Sequence, residues 1–232
     1  EQALIAAMAK RYAPGAADRR PLDLGYADAL EAAAARFPAD AEIAVLYAEA
    51  LMDLQPWDYW EKDGGAAKGR IADAVASVER VLRDNPRHPA AIHFYIHLVE
   101  ASDRPERAAR FADDLRTLVP AAGHLVHMPS HIYYRIGRFA DSLEANRKAV
   151  AADEAYIAGS SPQGLYPGAY YPHNIHFLMT SAQMGGDGAT AVVAAEKLGG
   201  TLDDAMVRAV PWVQAVKQAP YFAHAQYSEP AV

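Results

Sequence analysis

Apolar side chains recur at helical spacing from the first residues onward. Leu4, Ile5, Met8 and Tyr12 fall at i, i+1, i+4 and i+8, the stripe of an amphipathic helix, and Pro14-Gly15 ends it. A second helix is expected over 22–37, stopped by Pro38. Asp40 suits an N-cap for a third over 41–54, with Ile43, Leu46, Tyr47, Ala50, Leu51 and Leu54 on its buried face. A helix over 70–84 closes at Asn85-Pro86. Two helix pairs follow, 88–101 with 104–118 and 122–136 with 138–157. Asp103 and Arg104-Pro105 suit a cap and a first-turn proline, and Gly137 suits the turn within the second pair. Pro129 lies inside 122–136, so that helix either begins there or kinks there. A third pair is expected at 173–185 and 188–198, turning at Gly185-Gly186. A last helix over 202–218, bent at Pro211, would cap the array. From Ala219 the period is lost, and 219–232 reads as an extended tail.

Two stretches interrupt the pattern. Residues 55–69 (QPWDYWEKDGGAAKG) hold three aromatics and three glycines, too long for an ordinary helix–helix turn. Trp57, Tyr59 and Trp60 are expected to plug against the helices as a packed loop. Residues 159–172 (GSSPQGLYPGAYYP) are a second insertion, placed directly before His173. It is either a lid or groove wall or a plain insertion.

The histidines carry the candidate chemistry. His93 and His97 are four residues apart, as are His127 and His131, and the two pairs are offset by 34 residues, as are Pro86 and Pro120. Thirty-four residues is the repeat length of tetratricopeptide helix–turn–helix units, in which equivalent positions of successive repeats stack on one surface. Seven of the nine histidines (His93, His97, His124, His127, His131, His173 and His176) fall in the first helix of a pair. In a tetratricopeptide array that set of helices lines the concave groove. Two imidazoles at i, i+4 lie about 6 Å apart along the axis and can hold one ion. His97 and Glu100 share a face at i, i+3, with Glu100 a ligand or a catalytic base. The metal-ligand candidates are therefore His93, His97, His127, His131, His173 and His176. Glu49 and Asp53, on the preceding helix of the same set, are placed to close the other side. Nitrogen and oxygen ligands suit a divalent transition metal such as Zn, Mn, Fe, Cu or Ni, and the alternative is a neutral His–Tyr–Glu network. Tyr95, Tyr133 and Tyr134 are candidates to hydrogen-bond the imidazoles, although such tyrosines more often serve packing. His88 and His224 have no partner at ligand spacing and read as structural.

Composition narrows the classes. The chain has 232 residues, a net charge of −7 and no cysteine. That excludes disulfides, thiolate ligands and cysteine nucleophiles. Lys and Arg are scattered, without the basic stripe of a nucleic-acid binder, and no apolar run approaches the ~18 residues of a membrane span. No Gly-rich phosphate loop, G-x-S-x-G or H-E-x-x-H occurs. The sequence begins at Glu1, already helical in pattern, which reads as a processed or trimmed chain, cytoplasmic or exported.

The segments HPAAIHFYIHLVEAS (88–102), AGHLVHMPSHIYYRIGRF (122–139) and YYPHNIHFL (170–178), with AEALMDLQPWDYW (48–60) before them, resemble a group of bacterial tetratricopeptide-like proteins. Its marks here are HxxxHxxE from His93 to Glu100 and HxxHMPSHIY from His124 to Tyr133. The resemblance covers most of the chain and brings no reaction with it. Some proteins of the group carry export signals, and they have a further N-terminal segment. It implies an all-α, right-handed tetratricopeptide-like solenoid of about five helix pairs, in a single domain. On the residues alone, the leading expectation is a groove-borne His/carboxylate metal site, with enzymatic action on a small molecule or peptide. A metal-free peptide- or protein-binding scaffold and a metal carrier are the alternatives.

Overall fold

Helices start and stop where the breakers stand. In the computed structural model, which describes residues 1–15, 17–202, 204–210 and 213–228, regular structure among those residues is helical. The exception is an isolated β-bridge between Trp60 and Ala67. None of these helices is long and apolar enough to cross a membrane. The chain divides into two compact units, Glu1–Phe111 and Ala112–Val232.

The first unit holds α1 (Gln2–Arg11), α2 (Arg20–Arg36), α3 (Ala41–Asp53), α4 (Ile71–Asp84) and α5 (Pro89–Val99). Each packs on the next, and α3 also packs on α5. Asp40 caps α3, its carboxylate accepting from the Ile43 amide at 3.1 Å. His88 caps α5: Nδ1 accepts from the Ala91 amide at 3.3 Å. That leaves Nε2–H to donate to Glu42 Oε1 at 3.2 Å, so this histidine is structural. After α5 the expected 104–118 helix opens as a 3₁₀ turn, Pro105–Ala108, and continues as α6 (Ala109–Leu115).

The 55–69 loop is tied down by its backbone. Glu61 N donates to Ala66 O at 2.8 Å and Lys68 N to Tyr59 O at 2.9 Å. Gly64, at φ +73°, comes so close to the next turn that a Cβ would lie 2.6 Å from Asp103 N. Trp60 Nε1 donates to the Leu98 carbonyl at 2.6 Å, satisfying an otherwise orphaned group in the last turn of α5. Tyr59 is buried, but Trp57 is 77% exposed with φ +58°, so the expected plug consists of Tyr59 and Trp60 without Trp57.

The second unit holds α7 (Gly123–His127), α8 (Pro129–Arg135), α9 (Phe139–Ser160), α10 (Tyr171–Gly185), α11 (Gly188–Thr201), α12 (Asp204–Ala209) and α13 (Val213–Tyr227). Pro129 stands at the first position of α8, with Met128 alone between it and the end of α7. Met128 keeps helical dihedrals, φ −50° and ψ −39°, while Pro129 offers no N–H to the Leu125 carbonyl. Gly137 turns the chain at φ +79°. α7 and α8 pack on α9, α9 on α10, α10 on α11 and α11 on α13.

Two expectations change here. Of the 159–172 insertion, α9 takes the start and a π-helical turn at Tyr166–Tyr170 leads straight into α10. The rings of Tyr156 and Tyr166, 4.9 Å apart, hold that turn on α9. The expected extended tail from Ala219 is helical through Tyr227. Its signal was concealed because Ala219 and Ala223 are small and Pro220 reads as a breaker, yet all three are buried. Residues 229–232 and the expected bend at Pro211 lie outside the described residues.

One hydrogen-bonded trio recurs within these units: a tyrosine, a carboxylate from the helix before it and a cation from the segment after it. Tyr47 on α3 donates to Glu31 at 3.5 Å, and Arg70 contacts both, Glu31 at 3.0 Å and the hydroxyl at 3.3 Å. Tyr95 on α5 donates to Glu79 at 2.8 Å, which Arg107 also grips. Tyr133 on α8 donates to Asp113 at 2.7 Å, held by Arg138 at 3.0 Å. Tyr171 on α10 donates to Glu154 at 2.8 Å, shared with Lys197. Burial, then hydrogen bonding to the carboxylate, pushes the Tyr95 phenol up to about 12 and raises Tyr133 and Tyr171 likewise. Tyr95 and Tyr133 thus spend their hydroxyls on carboxylates rather than on imidazoles. Tyr134 packs its ring on Phe139 at 5.4 Å.

Candidate metal centre

Three imidazoles converge in the second unit. His127 ends α7, His131 lies in the first turn of α8, and His173 lies in the first turn of α10. One ligand nitrogen from each falls within 4.8 Å of the others. His127 and His131 are buried and His173 partly so. His127 Nε2 and His131 Nε2 stand 2.8 Å apart, and the His173 ring lies 4.6 Å from that of His127. Phe177, one turn beyond His173, packs against all three rings at 4.6 to 5.1 Å. The apolar ring gives the triad a dry wall on that side.

The tautomer of His127 is set by α9. Asn146, itself fully buried, donates from Nδ2 to the Ser142 carbonyl at 2.8 Å. Its Oδ1 therefore faces His127 Nδ1, at 2.6 Å, and can only accept. The proton of a neutral His127 must then sit on Nδ1, which leaves the Nε2 lone pair turned toward His131. This outer hydrogen bond is the arrangement that orients metal-ligating histidines. Burial, then the neighbouring His173 and His131, drives the His127 pKa well below its ordinary value. A neutral ring is the form a metal needs.

A second buried cluster anchors His173. Asn174 is fully buried and donates to Asp153 Oδ2 at 2.7 Å, while Tyr166 donates to Asp153 Oδ1 at 2.6 Å. Burial raises the Asp153 pKa against the pull of these two donors. Gly123 makes room for the carboxylate: a Cβ there would lie 1.8 Å from Asp153 Oδ1. His124, beside Gly123, stacks on His127 at 5.9 Å and meets the Tyr170 edge at 4.8 Å.

The remaining sequence candidates fall as follows. In the first unit the rings of His93 and His97 meet edge to face at 4.9 Å, and His97 Nδ1 lies 3.1 Å from Glu100 Oε1. The carboxylate favours the Nδ1–H tautomer of His97. Glu49 and Asp53 do not present free carboxylates: Arg11 of α1 bridges both, engaging the pair that the spacing offered as ligands. His176 belongs to none of the ligand groups among the described residues, and burial alone lowers its pKa. Asn146 and Asp153 were not among the sequence candidates. Their signal was present as a polar stripe (Ser142, Asn146, Asp153) on the otherwise Ala-rich buried face of α9.

The donor set fits a divalent transition metal. Ligand nitrogens on a tetrahedral ion with ~2.0–2.1 Å bonds stand about 3.4 Å apart, somewhat wider than the 2.8 Å between His127 Nε2 and His131 Nε2 and inside the 4.8 Å within which all three lie. Three neutral nitrogens bring no charge and leave a coordination position unfilled by these residues. No protein-family model and no curated protein matches the sequence.

Proposed function

We propose that this chain is a tetratricopeptide-like helical-repeat protein whose His127, His131 and His173 hold one divalent transition metal, and that the metal works on a small molecule or peptide. The observation that carries the reading is the convergence of three imidazole nitrogens within 4.8 Å, one of them fixed in tautomer by Asn146. Three protein ligands with a further position open is the pattern of catalytic rather than structural sites. Such an ion lowers the pKa of bound water toward neutrality or polarises a carbonyl. The protein contributes the dry Phe177 wall and the hydrogen bond to His127. In the first unit Glu100 would orient the His97 imidazole through the 3.1 Å contact to its Nδ1. The repeat reading rests on the 34-residue offset of the His pairs, on the packing of α3 against both α4 and α5, and on the recurring tyrosine trio.

The test is elemental mass spectrometry of protein purified without a His-tag, beside a His127→Ala/His131→Ala variant. A near-stoichiometric first-row metal that the variant loses supports the centre, and its identity separates hydrolytic from redox chemistry. A protein that holds no metal and takes up none of Zn, Mn, Fe or Cu sinks the metal reading and leaves the peptide-binding scaffold.

A further inference from the structure

The first unit has a cleft that the metal reading does not use. It opens to about 380 Å³ between α4, the middle of α5, the 3₁₀ turn and the beginning of α6. Its size falls within the ~300–1,000 Å³ of small-molecule sites. The floor is aromatic: Tyr95 and Phe111 are both buried, and their rings pack edge to face at 5.6 Å. The walls carry three guanidiniums, Arg83, Arg107 and Arg110, against one carboxylate, Glu79. The cleft is thus cationic in a chain whose net charge is −7.

The three arginines are not equivalent. Arg107 is spent on Glu79, and Tyr95 donates to the same oxygen, so that edge is internally balanced. Arg83 and Arg110 form no ion pair among the described residues. Arg110 lies over Phe111, its guanidinium carbon 4.3 Å from the ring centroid. That contact orients the fork while leaving its N–H donors unspent. An apolar floor beside two available guanidinium forks suits a ligand with one apolar group and one anionic group.

We propose that this cleft binds a small organic anion, a carboxylate or phosphate joined to an aromatic or aliphatic group, with Arg83 and Arg110 taking the charge and Phe111 and Tyr95 the apolar arm. Glu79 opposes the ligand's charge, so neutralising it strengthens binding. The proposal is independent of the metal centre, because no histidine lines the cleft.

Isothermal titration tests it with four probes: N-acetylphenylalanine, its uncharged amide, phenyl phosphate and inorganic phosphate. Saturable binding of N-acetylphenylalanine or phenyl phosphate is expected, with the stronger of the two identifying the headgroup. The amide and inorganic phosphate should each bind at least about tenfold more weakly, since each lacks one half of the recognition. Arg83→Gln and Arg110→Gln should each weaken binding about two- to fivefold, whereas Glu79→Gln should tighten it. Circular dichroism of each variant confirms that the fold is kept. The proposal is overturned if neither anion saturates, if the amide binds as well as the acid, or if folded Arg83→Gln and Arg110→Gln variants bind like the wild type.

Discussion

At the scale of single residues, His127 is the imidazole whose surroundings are most fully determined. Asn146 accepts its Nδ1 proton and burial keeps it neutral. Asn146→Ala should therefore lower metal affinity about 10–100-fold while the helical signal stays. Asn146→Asp, which still accepts from Nδ1, should retain most of it, and chelator competition reads both. The depressed pKa also has a direction in pH. Above the ordinary value of 6.5 the ring is neutral whether the protein is folded or unfolded, and stability is unaffected. As pH falls through 6.5 the unfolded chain takes up a proton that the folded one refuses. Metal-free protein should thus lose up to about 1.4 kcal/mol per pH unit from this group. Urea midpoints at pH 7.5 and 5.5 should show the loss, and His127→Gln should reduce it. The sequence disclosed the histidines, because i, i+4 spacing on a helix is readable without a structure. It did not disclose Asn146, because the chemistry of a buried amide depends on which helix it faces.

At the scale of elements, the site depends on how closely α7 approaches α9. Gly123 sits against Asp153, and that carboxylate holds Asn174 in the first turn of α10 and Tyr166 in the π-helical turn before it. Gly123→Ala should cost about 1–3 kcal/mol through overpacking, and much less in an Asp153→Ala background. A double-mutant cycle in urea measures the coupling. Most helix limits were legible, since Pro14, Pro38, Asp40, Asn85 and Gly137 act locally on the backbone. The errors arose where local signals conflict with packing. Pro220 lies within a helix that Ala219 and Ala223 pack, and the Tyr-rich 159–172 stretch ends in a helical turn whose Tyr166 ring meets Tyr156 of α9 edge-on. The pairing of Glu49 and Asp53 with Arg11 was equally out of reach, because it joins residues 38 and 42 positions apart.

At the scale of the whole molecule, metal should stabilise the chain unevenly. Ligands that bind only the folded state add about 2.7 kcal/mol at a hundred times Kd. The three converging imidazoles all belong to the second unit. Hydrogen exchange with and without added Zn should therefore gain protection in peptides from α7 to α10, while α1 to α4 stay as they were. Equal protection in all helices would show that the triad is not where the ion binds. The 34-residue offset of the histidine pairs was legible in the sequence, but the tyrosine trios were not, since their spacings drift with loop length. Those trios bear on how the chain can be cut. Each draws on three successive segments, so a lone helix pair excised at the 34-residue period takes a phenol without its acid or its base. A self-sufficient fragment, or a transplant into another scaffold, needs an extra helix on either side, and a ligation or circular-permutation joint should fall between trios rather than within one.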